Sequence, residues 1–154
     1  MKFVIQRVNS AKVEIIDNGS SRVPGEIRKG FLVLIGVSQE DDETVADKLI
    51  HKLVNLRIFE DDNGKTNLNI DAVNGEMLLV SQFTLYADCK HGNRPSFTDA
   101  GSPDRAEELY EYIVSQCRDK LGNNRIATGE FGADMQVNLV NDGPFTIILD
   151  SEKL

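Results

Sequence analysis

The sequence predicts a single α/β domain with a mixed sheet. Three observations lead to this prediction. The chain has 154 residues, a length typical of one domain. Two segments repeat apolar residues at helical spacing, and β-rich segments precede, separate and follow them. The composition, 40% hydrophobic and 27% charged, is that of an ordinary globular domain and not of a disordered or low-complexity chain. We therefore expect residues 1–154 to form one domain.

The first elements are predicted to be strands. Residues 2–16 interleave β-branched and polar side chains, which is typical of a strand. Asp17-Asn18-Gly19 predicts a hairpin turn, because these residues accept a positive φ, and Pro24-Gly25 predicts another break. The continuous apolar run Phe31–Val37 predicts a central strand that is covered on both faces.

Two amphipathic helices are predicted next. The first follows the acidic run 38–43, which we interpret, like the acidic turn 60–62, as solvated rather than as a cation site. The second begins with Ser102 as its cap and Pro103 in its first turn, and it ends at Gly122. The predicted buried faces are Val45, Ala46, Leu49, Ile50, Leu53 and Leu56 in the first helix and Ala106, Leu109, Tyr110, Ile113, Val114 and Cys117 in the second.

The remaining strands are predicted at Met77–Tyr86, Met135–Val140 and Phe145–Leu149. The first of them turns polar at residues 81–84. Buried polar groups need hydrogen-bond partners, so either this strand leaves the core or a ligand supplies the partners. The last two strands are joined by residues 141–144, which include a Gly–Pro step. On the residues alone an ordinary turn with a trans bond is the default there.

Charge and cysteine content restrict the function classes. The net charge is −8, which opposes non-specific binding to DNA or a long contact with RNA. Residues 1–30 nevertheless hold six basic and three acidic residues, which leaves a local contact with an RNA end open. Cys89 and Cys117 form no CxxC motif, so we expect reduced thiols and no zinc ribbon. No apolar run approaches the length of a membrane span, and we expect a cytoplasmic protein.

Common catalytic signatures are absent. The sequence has no GxSxG, Walker or GxGxxG motif and no clustered metal ligands, so no metal or cofactor is expected. A Ser-His-Asp triad would have to use His91, because His51 lies in the first predicted helix.

Six segments nevertheless resemble one family, in order along nearly the whole chain. The sequence is similar to the D-aminoacyl-tRNA deacylases, and its SQFTL and NxGPxT motifs at this separation are specific to them. The six segments are Gln6-Arg7-Val8, Ser81-Gln82-Phe83-Thr84-Leu85, Arg94-Pro95-Ser96-Phe97, Ser102-Pro103-Asp104-Arg105-Ala106, Ala133-Asp134-Met135-Gln136-Val137 and Asn141-Asp142-Gly143-Pro144-Phe145-Thr146.

The resemblance implies a homodimer of compact α/β units, each with two sheets and two main helices. It implies hydrolysis of the ester that joins a D-amino acid, or glycine mischarged on alanine tRNA, to the tRNA 3′ end. The implied catalytic residues are Ser81, Gln82, Phe83 and Thr84. Backbone amides near Phe83 and Thr84 would form an oxyanion hole. The attacking group is then either Thr84 or a water assisted by the ribose 2′-OH, and we favour the water because no base accompanies Thr84.

The resemblance also implies how D- and L-substrates are distinguished. A cis Gly143–Pro144 bond is expected to project into the neighbouring subunit's site, braced by Arg7, with Thr146 and Met135 also contacting substrate. Its carbonyls would hold the α-amino group and leave no room for an L side chain. Lys90, His91 and Arg94 would add local positive charge for the tRNA end.

Overall fold

The computed structural model describes residues 1–154, which form eight strands and two α-helices. The helices are α1, Glu43–Val54, and α2, Pro103–Leu121. The strands are β1 (Lys2–Asp17), β2 (Ser20–Ile27), β3 (Gly30–Gly36), β4 (Phe59–Glu60), β5 (Thr66–Leu68), β6 (Glu76–Ser81), β7 (Ile126–Thr128) and β8 (Met135–Asp150). Neither helix is long and apolar enough to cross a bilayer.

The sheet is organised around β1. Its N-terminal half, Lys2–Val8, pairs antiparallel with β3, and Ala11–Asp17 pairs with β2. On its other edge β1 pairs with β8 along almost its whole length. The strand order is β2-β1-β3-β6-β7, with β3-β6 and β6-β7 parallel, while β4 and β5 form a separate two-stranded sheet. The predicted α/β class with a mixed sheet, two sheets in all and two main helices, is confirmed.

Strand β3 is buried on both faces, as predicted. Phe31, Val33 and Ile35 point into the main core, which the two helices cover. Leu32 points the other way, into a smaller core with residues of β6 and of the C-terminal half of β1. The alternation of a strand sends successive side chains to opposite faces, so one apolar run serves two cores.

The helices follow most of the predicted pattern. Ser102 precedes α2 but makes no side-chain capping hydrogen bond, and Leu56 lies beyond the end of α1 at Val54. A third difference is at the start of α1. All six residues predicted for the buried face of α2 are buried, and Gly122 ends that helix at φ +96°. In α1 the Asp42 side chain caps Val45 N. Asp41 is not solvated, contrary to our expectation, because it is only 7% exposed and lies 2.6 Å from the Met1 ammonium.

The break predicted at Pro24-Gly25 is wrong, because β2 runs through both residues. The pairing of β2 with β1 shifts register opposite this step, between Val13 and Ile15. Proline is tolerated at such an irregularity on a terminal strand because no ladder hydrogen bond is required of it there. Gly25 is needed for packing and not for a turn. A Cβ at this position would lie 2.3 Å from the Thr128 carbonyl oxygen of β7.

The strand predicted over Met77–Tyr86 is too long. Strand β6 ends at Ser81, and residues Phe83–Tyr86 form a 3₁₀ helix. The last ladder contact is Gln82 N to Ile35 O, at 2.7 Å. Beyond it the chain turns across the end of β3, where Leu85 packs on Gly36 so closely that a Cβ on the glycine would lie 2.9 Å from Leu85 Cβ.

Candidate active site

A cavity of about 940 Å³ opens where β6 ends. Its walls come from the ends of β3 and β6, the start of α2, the loop before α2 and the start of β8. Most of the lining is apolar, with Val80, Phe83, Phe97, Phe131 and Met135 among its residues. A largely apolar cavity with a few polar groups is the usual form of a small-ligand site.

The predicted catalytic segment forms one wall of this cavity. Ser81, Gln82 and Phe83 line it, whereas Thr84 does not. No buried side-chain nitrogen or oxygen lacks a partner anywhere in the chain. Of the two alternatives for this polar segment, the structure therefore supports a strand that leaves the core. The segment continues from the core into the cavity wall.

The Thr84 hydroxyl has no base beside it. Its one hydrogen bond is with Gln82, whose Nε2 donates to Thr84 Oγ1 at 2.5 Å. An amide nitrogen with its hydrogens directed at the hydroxyl cannot remove the hydroxyl proton. His51 and His91 are both exposed, and neither lines the cavity.

Two adjacent backbone amides are free here, that of Phe83 in the cavity wall and that of Thr84 directly after it. Phe83 and Thr84 begin the 3₁₀ helix, and their N–H groups donate to no other protein group. Helix starts leave such donors unsatisfied, because no preceding turn supplies carbonyl acceptors. Two adjacent free N–H groups can stabilise a developing oxyanion.

The other predicted site residues gather around a bulge in β8. The two strands predicted at Met135–Val140 and Phe145–Leu149 are one strand interrupted by this bulge. Gln6 pairs with Thr146 and Val8 pairs with Asn141, so the single residue between them in β1 faces residues 142–145 of β8. The ladder resumes on both sides, with a second register shift between Val8 and Ser10. The four residues 142–145 therefore project from the sheet, and we call them the β8 turn.

Arg7 holds the β8 turn from inside. This side chain is 6% exposed and lies opposite the turn. Its Nε is 2.9 Å from Asp142 Oδ2 and 3.3 Å from the Asp142 carbonyl oxygen. Its Nη1 donates to the Ile58 carbonyl at 2.5 Å, and its guanidinium lies 4.4 Å from the centre of the Phe145 ring.

Asn141 fixes both ends of the same turn. Its Nδ2 donates to the Arg7 carbonyl at 3.0 Å and to the Phe145 carbonyl at 3.2 Å. The Gly143–Pro144 bond at the tip is cis, as the resemblance predicts and against the default for the residues alone. Both tip residues are exposed.

The predicted site residues therefore fall into two groups. Ser81, Gln82, Phe83 and Met135 line the cavity. The second group belongs to the β8 turn or its neighbours, and none of its members lines the cavity: Arg7, Gly143, Pro144 and Thr146. Thr146 lies on the outer face, where its Oγ1 accepts from Gln6 Nε2 at 3.2 Å.

Phe97 is a site residue that the sequence analysis did not single out. It lines the cavity and packs edge-on against Phe83, with 5.1 Å between ring centres. The Arg-Pro-Ser-Phe segment that contributed to the resemblance was the available signal. Phe83 itself is 55% exposed, so the pair presents an open aromatic surface.

No group of three or more His, Cys, Asp or Glu side chains that could hold a metal ion is found.

The basic surplus of residues 1–30 is largely neutralised in the fold. Four of its six basic side chains are in ion pairs: Arg7 with Asp142, Lys12 with Glu14, Arg22 with Glu130 and Arg28 with Glu76.

A family model described as D-Tyr-tRNA(Tyr) deacylase matches residues 4–150. The chain belongs to this family. It is 53% identical over 154 residues to a D-aminoacyl-tRNA deacylase of Thermosipho melanesiensis, covering 100% of this chain and 99% of that one. It is 56% identical over 149 residues to one of Pseudoalteromonas translucida, covering 97% and 99%.

Two solved structures are similar to the chain. A c-Myc DNA unwinding element binding protein superposes with a TM-score of 0.90 and 39% identity, over 97% of this chain and 98% of that one. A probable eukaryotic D-amino acid tRNA deacylase superposes with a TM-score of 0.79 over 96% and 97%; at 17% identity it supports the fold alone.

Proposed function

We propose that the chain hydrolyses the ester bond of D-aminoacyl-tRNA, releasing the D-amino acid and free tRNA. The observation that carries the proposal is the junction of the apolar cavity with the free amides of Phe83 and Thr84. The cavity accommodates the terminal adenosine, whose base has flat faces that pack against apolar side chains and polar edges that hydrogen-bond. The ester carbonyl then lies at the cavity wall, within reach of the two amides.

Hydrolysis needs an attacking water and a stabilised oxyanion. The carbonyl oxygen becomes negatively charged when water adds, and each oriented donor contributes roughly 3–4 kcal/mol in other acyl-transfer enzymes. Thr84 lacks a base, so we assign activation of the water to the ribose 2′-OH next to the ester. Ser81 and Gln82 orient the adenosine or the water from the same wall.

We further propose that the site is completed by a second copy of the chain. Within one chain the β8 turn does not line the cavity, although the turn is held rigidly and projects. The face of the sheet opposite the main core carries a row of apolar residues near the turn. In this row Val4 pairs with both Leu34 and Ile148. Ile148 is 64% exposed. A two-fold dimer through this face would cover the row and bring each turn to its partner's cavity.

In this arrangement the turn selects the substrate by chirality. Many D-amino acids differ in their side chains but share an α-amino group and a Cα hydrogen. Backbone carbonyls of Gly143 and Pro144 can hold the amino group, while the rigid turn leaves no room for an L side chain. Glycine has no side chain to exclude, so glycyl-tRNA is also accepted.

The decisive experiment measures hydrolysis of D-tyrosyl-, glycyl- and L-tyrosyl-tRNA by the purified protein. We expect the first two to be hydrolysed and the third to survive. Equal hydrolysis of D- and L-tyrosyl-tRNA would contradict chiral selection. No hydrolysis of any of them would contradict the deacylase function itself.

Mixing two inactive variants tests the contribution of the partner. Ala133→Trp fills the cavity, and Gly143→Val alters the turn of an otherwise intact chain. A mixed dimer contains one intact cavity facing one intact turn only if the turn acts on the partner. We therefore expect activity to return after the two inactive proteins are unfolded together and refolded. If mixed dimers form and activity does not return, the turn does not act in the cavity of the partner.

A further inference from the structure

Residues 89–98, which we call the basic loop, carry positive charge beside the cavity. They include Lys90, His91 and Arg94 and no acidic residue, in a chain whose net charge is −8. Lys90 and Arg94 are exposed, and neither is in an ion pair. This contrasts with the N-terminal cations, most of which are paired.

The stems of the basic loop are fixed to the cavity. Asp88 and Ser96 exchange two backbone hydrogen bonds, of 2.8 and 2.9 Å. The next two residues, Phe97 and Thr98, line the cavity. Gln39 Nε2 donates to the Thr98 carbonyl at 2.5 Å and ties the loop to the segment before α1. The stems of the loop therefore lie at a set position relative to the first cavity.

A second cavity, of about 530 Å³, lies next to the first one. It shares Gln39 and Thr98 with the first cavity, and Lys90 lines it. Its other walls include four carboxylates, those of Glu40, Asp88, Asp99 and Glu152. Carboxylates repel phosphate, so the recess as a whole disfavours a nucleic acid backbone, and Lys90 is the basic loop's cation on that side. Arg94 lines neither cavity.

We propose that the basic loop binds the phosphodiester backbone just 5′ of the terminal adenosine, with Lys90 and Arg94 as the phosphate contacts. This inference rests on the proposed function and adds which residues bind the tRNA end. The rest of the protein is acidic and does not attract the duplex part of the tRNA, so binding is confined to the single-stranded end. Each Lys or Arg that neutralises a phosphate releases counterions, which makes such contacts dependent on salt.

The test compares two substrates, D-tyrosyl-tRNA and 3′-O-D-tyrosyl-adenosine, which lacks the phosphates. Lys90→Gln and Arg94→Gln should each raise KM for the tRNA roughly three- to fivefold at low salt and lower the slope of log(kcat/KM) against log[salt] by about 0.7 per contact. Hydrolysis of the adenosine ester should be unchanged.

The matched control is Lys120→Gln, which removes the same charge at the far end of α2, about 25 Å along the helix from Pro103. Effects equal to those of Lys120→Gln, or equal on both substrates, would overturn the inference. If the wild-type protein hydrolyses neither substrate, the proposed function fails instead, and the two failures are thereby distinguished.

Discussion

Arg7 and Asp142 form an ion pair across β1 and β8, with 2.9 Å between Arg7 Nε and Asp142 Oδ2. Arg7 is almost fully buried, whereas the Asp142 side chain is 37% exposed. The guanidinium makes four contacts: three with the turn, namely the Asp142 carboxylate, the Asp142 carbonyl and the Phe145 ring, and one with the Ile58 carbonyl. A planar fork with several donors makes this possible, and a lysine ammonium does not reproduce it.

Arg7→Lys should therefore reduce D-tyrosyl-tRNA hydrolysis even though the charge is kept. We expect the free energy of unfolding to fall by about 1–3 kcal/mol, because buried carbonyl partners lose their donors. Asp142→Asn should have a smaller effect on stability, about 1 kcal/mol or less, because its carboxylate is partly solvated. Urea unfolding and single-turnover hydrolysis measure the two effects. Full activity of Arg7→Lys would show that the fork is not needed to position the turn.

Gly143→Val should abolish D-tyrosyl-tRNA hydrolysis with little loss of stability. A Cβ at this position would meet only Asn141 Oδ1, at 3.8 Å, so the side chain fits within its own subunit. Its bulk would instead occupy the space that the turn presents to the partner and the substrate. Unfolding midpoints should agree with those of the wild type within the error. Retained activity together with an unchanged fold would mean that the tip contacts no substrate.

Thr84→Ala should keep substantial activity, while a substrate that ends in 2′-deoxyadenosine should be hydrolysed poorly. The reason is that the Thr84 hydroxyl is in contact with an amide donor and with no base. Single-turnover rates on both substrates measure this. The opposite pair of results, an inactive variant that still binds tRNA and normal turnover of the deoxy substrate, would make Thr84 the nucleophile.

Gly30→Ala should destabilise the fold strongly, and Gly129→Ala should do so weakly. A Cβ at Gly30 would lie 1.8 Å from the Glu76 carbonyl oxygen, which the β3-β6 ladder holds in place. A Cβ at Gly129 would lie 2.6 Å from Met135 Sδ, the end of a flexible side chain. We expect a loss of about 3 kcal/mol or more for the first and about 1 kcal/mol for the second. Equal unfolding midpoints in urea would contradict this.

The two thiols should differ in reactivity. Cys89 is exposed, whereas Cys117 is fully buried in the main core, and burial raises the pKa of its thiol to about 12. Since the thiolate is the reactive form, a thiol reagent at pH 8 should titrate one cysteine in the native protein and two after unfolding. Rapid labelling of both in the native state would show that the core opens.

Local patterns in the sequence determined most of the helices and strands. The alternation of residues 2–16, the apolar run of β3 and the buried face of α2 each predicted an element that the structure contains. These elements follow from periodicity, which depends on neighbouring residues only. The motifs around Ser81 and Gly143 likewise indicated the family before any geometry was known.

Tertiary structure decided what these patterns do together. Pro24-Gly25 is typical of a break, yet it lies inside β2, where Gly25 packs against the distant strand β7. The turn that follows β6 packs against Gly36, and the bulge in β8 lies opposite Arg7. Both residues are far away in the chain. Neither periodicity nor turn propensity records which residue faces which across a sheet, because register is set by pairing between strands. The separation of the cavity from the β8 turn, on which the partner proposal rests, is therefore visible only in the folded chain.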